Sequence, residues 1–182
     1  MEFFANYFNT LSKKIKDVDA GMLNQAVEMI ASTSQNGRKI IIVGNGGSAA
    51  IAGHVSVDLT KNAKIRSINF NEADLITCFS NDYGYEKWVE KAIESYADSE
   101  DLVILISSSG TSKNIMNGGQ KAKKMDLKVI TFSGFSPDNP LRQLGDINFW
   151  VNSKAYNIIE TTHSVWLLAI VDQIIGSMEY SA

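Results

Sequence analysis

Cysteine is nearly absent: the 182 residues contain one, Cys78. A single thiol makes neither an intrachain disulfide nor a cysteine-based zinc motif, and it fits a reducing cytoplasm. Proline occurs only at Pro137 and Pro140, both inside GFSPDNPL, which reads as one loop. No run of lysine and arginine exceeds two residues, and 17 basic against 20 acidic residues leave a net charge of −3. That excludes the electrostatic footprint of a nucleic-acid or anionic-membrane binder. The longest apolar run, Val165 to Val171, is far short of a membrane span. The opening MEFFANYFNTLSKKIKDVD is broken by Glu2, Asn6 and Asn9, so it lacks a signal-peptide apolar stretch. What remains, 45% hydrophobic and 20% charged, is the composition of one soluble domain with a real core and a small-molecule partner.

Phe4, Phe8, Leu11, Ile15 and Val18 recur at spacings of four and three, which predicts an amphipathic helix with a narrow seam. The seam either packs on its own domain or joins subunits. A second helical pattern, Met22, Ala26, Val27, Met29 and Ile30, ends near Asn36-Gly37, a C-cap signal. Beyond it, KIIIVG, KIRSINF, DLVILISS, LKVITFSG and DINFWVN are short apolar or β-branched runs, most followed by a helical pattern. This alternation predicts an α/β fold, a doubly wound five-stranded parallel sheet with additional N-terminal helices. A last helix, roughly Tyr156 to Met178, is apolar on nearly every side. It is expected to be buried on more than one face, between the sheet and the N-terminal helices or between subunits.

Ligands of open α/β sheets bind at the carboxyl ends of strands. Two loops stand there: Gly44-Asn45-Gly46-Gly47-Ser48 and Ser107-Ser108-Ser109-Gly110-Thr111-Ser112. Each leads into a helix N-terminus, where free N–H groups and the helix dipole favour an anion. The first fits a G-x-G-x-x-A dinucleotide fingerprint, but no acidic residue closes the following strand at SINF to hold a ribose. Neither loop has the Gly-Lys-Ser/Thr ending of a Walker A motif. The second offers five hydroxyls in six residues, suited to a compact phosphate monoester, and reads otherwise as a plain helix cap.

His54 and Asp58 lie one helical turn apart, a spacing that serves half a metal site, an acid–base pair or a surface hydrogen bond. The other histidine, His163, follows Glu160 by three on the last helix. Asn81-Asp82-Tyr83-Gly84, after the strand-like DLITCFS, reads as a polar turn leading into a helix.

Together GNGGSAA at 44–50, His54 with Asp58, Ser80-Asn81-Asp82-Tyr83-Gly84, the serine loop at 107–112 and KVITFSG at 128–134 resemble the SIS (sugar isomerase) domain family, and within it the phosphoheptose isomerases. The resemblance covers essentially the whole chain, residues 1–182 as one SIS domain of flavodoxin-like fold, with residues 1–36 contributing helices to oligomer packing. It implies a cytoplasmic homotetramer, or dimer, with active sites between subunits, that isomerises sedoheptulose 7-phosphate to an aldoheptose phosphate through an enediol. It places the phosphate on Ser107, Ser108, Ser109 and Ser112, and the sugar on Asn45, Gly46, Gly47, Ser48 and Asp82. In some members a histidine and a glutamate hold zinc, positions filled here by His54 and Asp58. The pattern's remaining ligands, a glutamine and a histidine, align on Ile159 and Leu167, and here the chain departs from it. His163 shares the stripe of 159 and 167, which offers it as a replacement ligand and acid. Asp58 is then the base, His54 or His163 the acid, and Glu160 orients the ring or acts as base itself. The alternatives are a phosphosugar-binding protein or replication-initiation adaptor without chemistry, and an isomerase on another sugar phosphate.

Overall fold

Ile40 to Val43 carry apolar side chains at every position, so the segment gains most where protein covers both faces of a sheet. It becomes the interior strand β1 (Ile40–Gly44). The computed structural model describes residues 2–180. β2 (Ser67–Asn69), β3 (Leu102–Ser107), β4 (Lys128–Ser133) and β5 (Ile147–Trp150) fall on the other apolar runs. All pairings are parallel, in the order β2-β1-β3-β4-β5, with Ile42 beside Ile104 and Ile104 beside Ile130. The helices are α1 (Glu2–Lys16), α2 (Ala20–Gln35), α3 (Gly47–Lys61), α4 (Ala73–Tyr83), α5 (Trp88–Tyr96), α6 (Lys113–Lys124) and α7 (Tyr156–Ile175).

Successive strand side chains point to opposite faces, which makes two cores. Ile40, Ile42, Leu102, Ile104 and Ile106 pack with α2, α3 and α7. Ile41, Val43, Val103, Leu105 and Val129 pack with α5 and α6, against which α4 sets Leu75, Ile76 and Phe79. The expected doubly wound parallel sheet is what forms.

By length and composition α7 is apolar enough to cross a membrane. Ile158, Ile159, Thr162, His163, Trp166, Leu167, Ile170 and Val171 are instead buried, and the helix packs on α1, α2 and α3. Trp166 ties the end of α1 to it, Nε1 donating to the Ile15 carbonyl at 2.9 Å. The seam of α1 divides. Ile15 and Val18 are half-buried against the domain, whereas Phe4 and Phe8 stay 65% and 62% exposed, beside Phe3 at 71%.

One expected strand is a helix. DLITCFS lies in α4 because Leu75, Ile76 and Phe79 recur at helical spacing and meet the core on one side, which an alternating strand would not allow. Asn81 to Tyr83 are therefore the last turn of that helix rather than a lead into the next. Gly84 ends it at φ 89°, its amide donating to the Ser80 carbonyl at 3.0 Å.

Candidate active site

β1 and β3 are neighbours, with Gly44 beside Ile106, so the glycine and serine loops leave the sheet side by side. Between them is a cleft of about 270 Å³, lined by Asn45 to Ser48, by Ser107, Ser108, Ser109 and Ser112, and by Tyr156 and Glu160 of α7. Gly46 takes φ 54°, a left-handed conformation that turns the chain sharply from β1 into α3. At Gly47 a methyl group would collide with the Glu160 carboxylate, so the missing side chain lets the carboxylate lie against the loop.

The serine loop keeps its hydroxyls near one another. Ser107 Oγ donates to Ser112 Oγ at 3.2 Å, and Ser109 Oγ accepts from Thr111 N at 3.3 Å and Thr111 Oγ1 at 3.0 Å. Ser108 Oγ reaches Glu160 Oε1 at 3.5 Å. Ser112 is the N-cap of α6 yet makes no side-chain capping bond, which leaves its hydroxyl and the first N–H groups of the helix for an anion. The lining residues include no lysine, arginine or histidine. Negative charge is met here by hydroxyls and by the N-termini of α3 and α6.

All the residues assigned to phosphate, together with Asn45, Gly46, Gly47, Ser48 and Glu160, come together in this cleft. Asp82 does not: it is exposed at the end of α4, where its Oδ1 accepts from Asn81 Nδ2 at 2.9 Å. His54 and Asp58 also lie outside it, about 10 Å along α3 from Gly47 in the case of His54. They pair with each other, Nε2 to Oδ2 at 3.2 Å, with the His54 side chain 58% exposed. Asn62 Nδ2 donates to the other Asp58 oxygen at 3.2 Å.

His163 does not reach the cleft. It is fully buried, its Nε2 donates to the Ser133 carbonyl at 3.0 Å, and its ring meets the edge of Phe132. Burial lowers its pKa to about 4, outweighing the hydrogen bond, so the ring is neutral near pH 7. It is neither acid nor metal ligand for this cleft, and Glu160 does not orient it. Ile159 and Leu167 are buried as well, with Ile159 packed on Gly134. The α7 residue turned to the cleft is Glu160, so a carboxylate stands where that helix contributes to the site.

The zinc expectation meets the same obstacle. Among the described residues no three His, Cys, Asp or Glu side chains gather closely enough to hold a metal ion. His54 and Asp58 provide two donors, and the third expected ligand is in the core. The donors of one chain do not fit zinc.

Three polar residues here escaped the sequence reading. Tyr156 was open to it, standing one turn before Glu160 on the same face of α7. Asn114 and Tyr85 bond to Asn45 across 69 and 40 residues, separations that no local pattern reveals.

Residues 3–134 match the family described as SIS domain. The phosphoheptose isomerase of Helicobacter pylori strain P12 is 32% identical over 177 residues, 94% of this chain and 91% of that protein. The phosphoheptose isomerase of Campylobacter concisus is 34% identical over 156 residues, 82% of each chain. In three dimensions, phosphoheptose isomerase from Neisseria gonorrhoeae superposes with a TM-score of 0.88 at 23% identity, covering 95% of this chain and 97% of that one. With a family match over residues 3–134 and relatives above 30% identity along most of its length, the chain belongs to the SIS domain family and, within it, to the phosphoheptose isomerases.

Proposed function

We propose that the cleft isomerises sedoheptulose 7-phosphate to D-glycero-D-manno-heptose 7-phosphate, with Glu160 as the base. One observation carries this reading: a single carboxylate faces a cleft otherwise furnished with hydroxyls, bare backbone and two helix N-termini. The serines and the α6 N-terminus suit the phosphate, and Asn45 and Ser48 suit oxygens of the sugar chain. Glu160 takes the proton from C1 of the ketose. The C–H electron pair becomes the C1–C2 double bond as the carbonyl π pair moves onto O2, and O2 takes a proton from solvent to complete the enediol, matched by the O1 proton returned to solvent in the next step. Return of the proton from Glu160 to C2, with loss of the O1 proton, forms the aldehyde. Proton transfer of this kind supplies roughly 10²–10⁴-fold.

His54 and Asp58 enter such a site only from a neighbouring copy. The exposed Phe3, Phe4 and Phe8 support a homo-oligomer, a tetramer as the resemblance implies, in which residues 1–36 pack against other copies. Zinc would likewise need donors from a second copy beside His54 and Asp58. The exposed, unpaired thiol of Cys78 supports a cytoplasmic location.

The test is to incubate the protein with sedoheptulose 7-phosphate, with and without zinc, and follow formation of the aldose. Wild type turns over, and Glu160→Gln loses roughly 10²-fold or more in kcat. Full activity in Glu160→Gln would remove it as the base. Binding without turnover by wild type would instead mark a phosphosugar-binding protein.

A further inference from the structure

The side-chain amide of Asn45 is gripped from two directions. Its Nδ2 donates to Asn114 Oδ1 at 3.0 Å, and Asn114 Nδ2 donates back to Asn45 Oδ1 at 2.8 Å. The Tyr85 hydroxyl donates to that same Oδ1 at 3.3 Å. Asn114 sits in the first turn of α6, two residues past Ser112, and is 2% exposed, so its amide is held by packing. Tyr85 comes from a third place, the short 3-10 turn Tyr85–Lys87 after α4.

A primary amide has two acceptor lone pairs and two N–H donors. In this arrangement both lone pairs of Asn45 Oδ1 and one of its N–H groups are engaged. A single N–H is left, on a residue that lines the cleft. We infer that Asn114 is a positioning residue: with Tyr85 it locks the Asn45 amide so that Asn45 meets the ligand only as a donor, to an oxygen of the sugar chain, and so gives the cleft its preference for a phosphosugar over bare phosphate. The inference rests on the phosphosugar reading above.

The chemistry favours this polarity. An enediol intermediate and the carbonyl that precedes it both present oxygens that accept, and a donor fixed beforehand need not be reoriented when negative charge develops there. An unrestrained amide would rotate between donor and acceptor and lose that discrimination. The lock also joins the loop that meets the sugar to the helix whose N-terminus meets the phosphate, so the two ends of the ligand are measured against each other.

The test measures affinity for sedoheptulose 7-phosphate and for inorganic phosphate by calorimetry. Wild type, Asn114→Leu and Tyr85→Phe are compared, and both substitutions are repeated in an Asn45→Ala background. Asn114→Leu weakens sedoheptulose 7-phosphate about 10-fold and Tyr85→Phe about 3-fold, the scale of one lost or loosened hydrogen bond, while inorganic phosphate stays within about twofold. In the Asn45→Ala background neither substitution costs anything more, because the residue they act through is gone. Equal losses for both ligands would show that Asn114 merely props the serine loop, and full additivity would show that it does not act through Asn45; either overturns the inference. Should Asn114→Leu fail to fold, Tyr85→Phe at a 55% exposed residue carries both comparisons. A wild type that shows this binding pattern without turnover supports the lock and removes only the isomerase reading.

Discussion

Ile159, His163 and Leu167 form one stripe of α7, as their four-residue spacing requires, and all three are buried. The stripe faces the sheet, and Glu160, one residue round the helix, faces the cleft. Spacing within a helix was therefore legible, but its rotation was not, since that depends on which side the sheet occupies. The buried histidine has a measurable consequence. Its folded pKa of about 4 lies below the ordinary value of 6.5, so the unfolded chain binds a proton between those values and the folded chain does not. Stability is complete above pH 6.5 and falls as the pH drops toward 4, by about 3 kcal/mol across that window. Urea denaturation at pH 7 and pH 4.5 would detect it, and His163→Leu should remove most of the difference. The depressed carboxylates act lower down. Glu94, held at about 2 by Lys121 and Lys91, loses its contribution only as the pH falls from about 4.5 toward 2. If His163→Leu kept the full loss between pH 6.5 and 4.5, the buried ring would not be its source.

At the scale of elements, the interior strands β1 and β3 could be read because each is a nearly continuous apolar run, the pattern a doubly covered parallel strand requires, whereas the edge strand β2, Ser67–Asn69, is legible only from its flanking Ile65 and Phe70. The serine and glycine loops could be read because a strand, a cluster of small residues and a helix succeed one another within a few residues. α4 was misread because DLITCFS is short and apolar, and periodicity alone separates strand from helix poorly at that length. The dependence of α1 on α7 could not be seen either, since it joins residues 151 apart. No α1 residue is buried, so the Trp166–Ile15 hydrogen bond is its principal polar attachment to the core. Trp166→Phe keeps an aromatic ring in place and strands the Ile15 carbonyl in the last turn of the helix, where no intrahelical donor is available. The expected cost is about 1–2 kcal/mol. Amide exchange should rise in α1 first, with the sheet unaffected; uniform acceleration across the chain would mean that the indole supports the core generally.

For the whole molecule, the strand order decides where chemistry can happen. The chain runs outward from β1 to β2 and then crosses back to β3, so the connections after β1 and β3 diverge and leave a crevice at the carboxyl ends. That crevice, proposed above to take the phosphate, is lined by residues of one chain. His54 and Asp58 lie on a different part of α3, and Phe3, Phe4 and Phe8 of α1 remain mostly exposed. If copies associate through α1 and bring α3 of one beside the cleft of another, binding and turnover respond differently to dissociation. Replacing both Phe4 and Phe8 by glutamate puts charge into the association face at positions that are mostly solvent-exposed within the chain, so folding should be nearly unaffected. Light scattering should then show a smaller species. Inorganic phosphate should bind within about twofold of wild type, while turnover of sedoheptulose 7-phosphate falls roughly 10²-fold or more, the low end expected when an acid–base contributor is withdrawn. A dissociated variant with undiminished turnover would place the whole catalytic apparatus, Glu160 included, within a single chain.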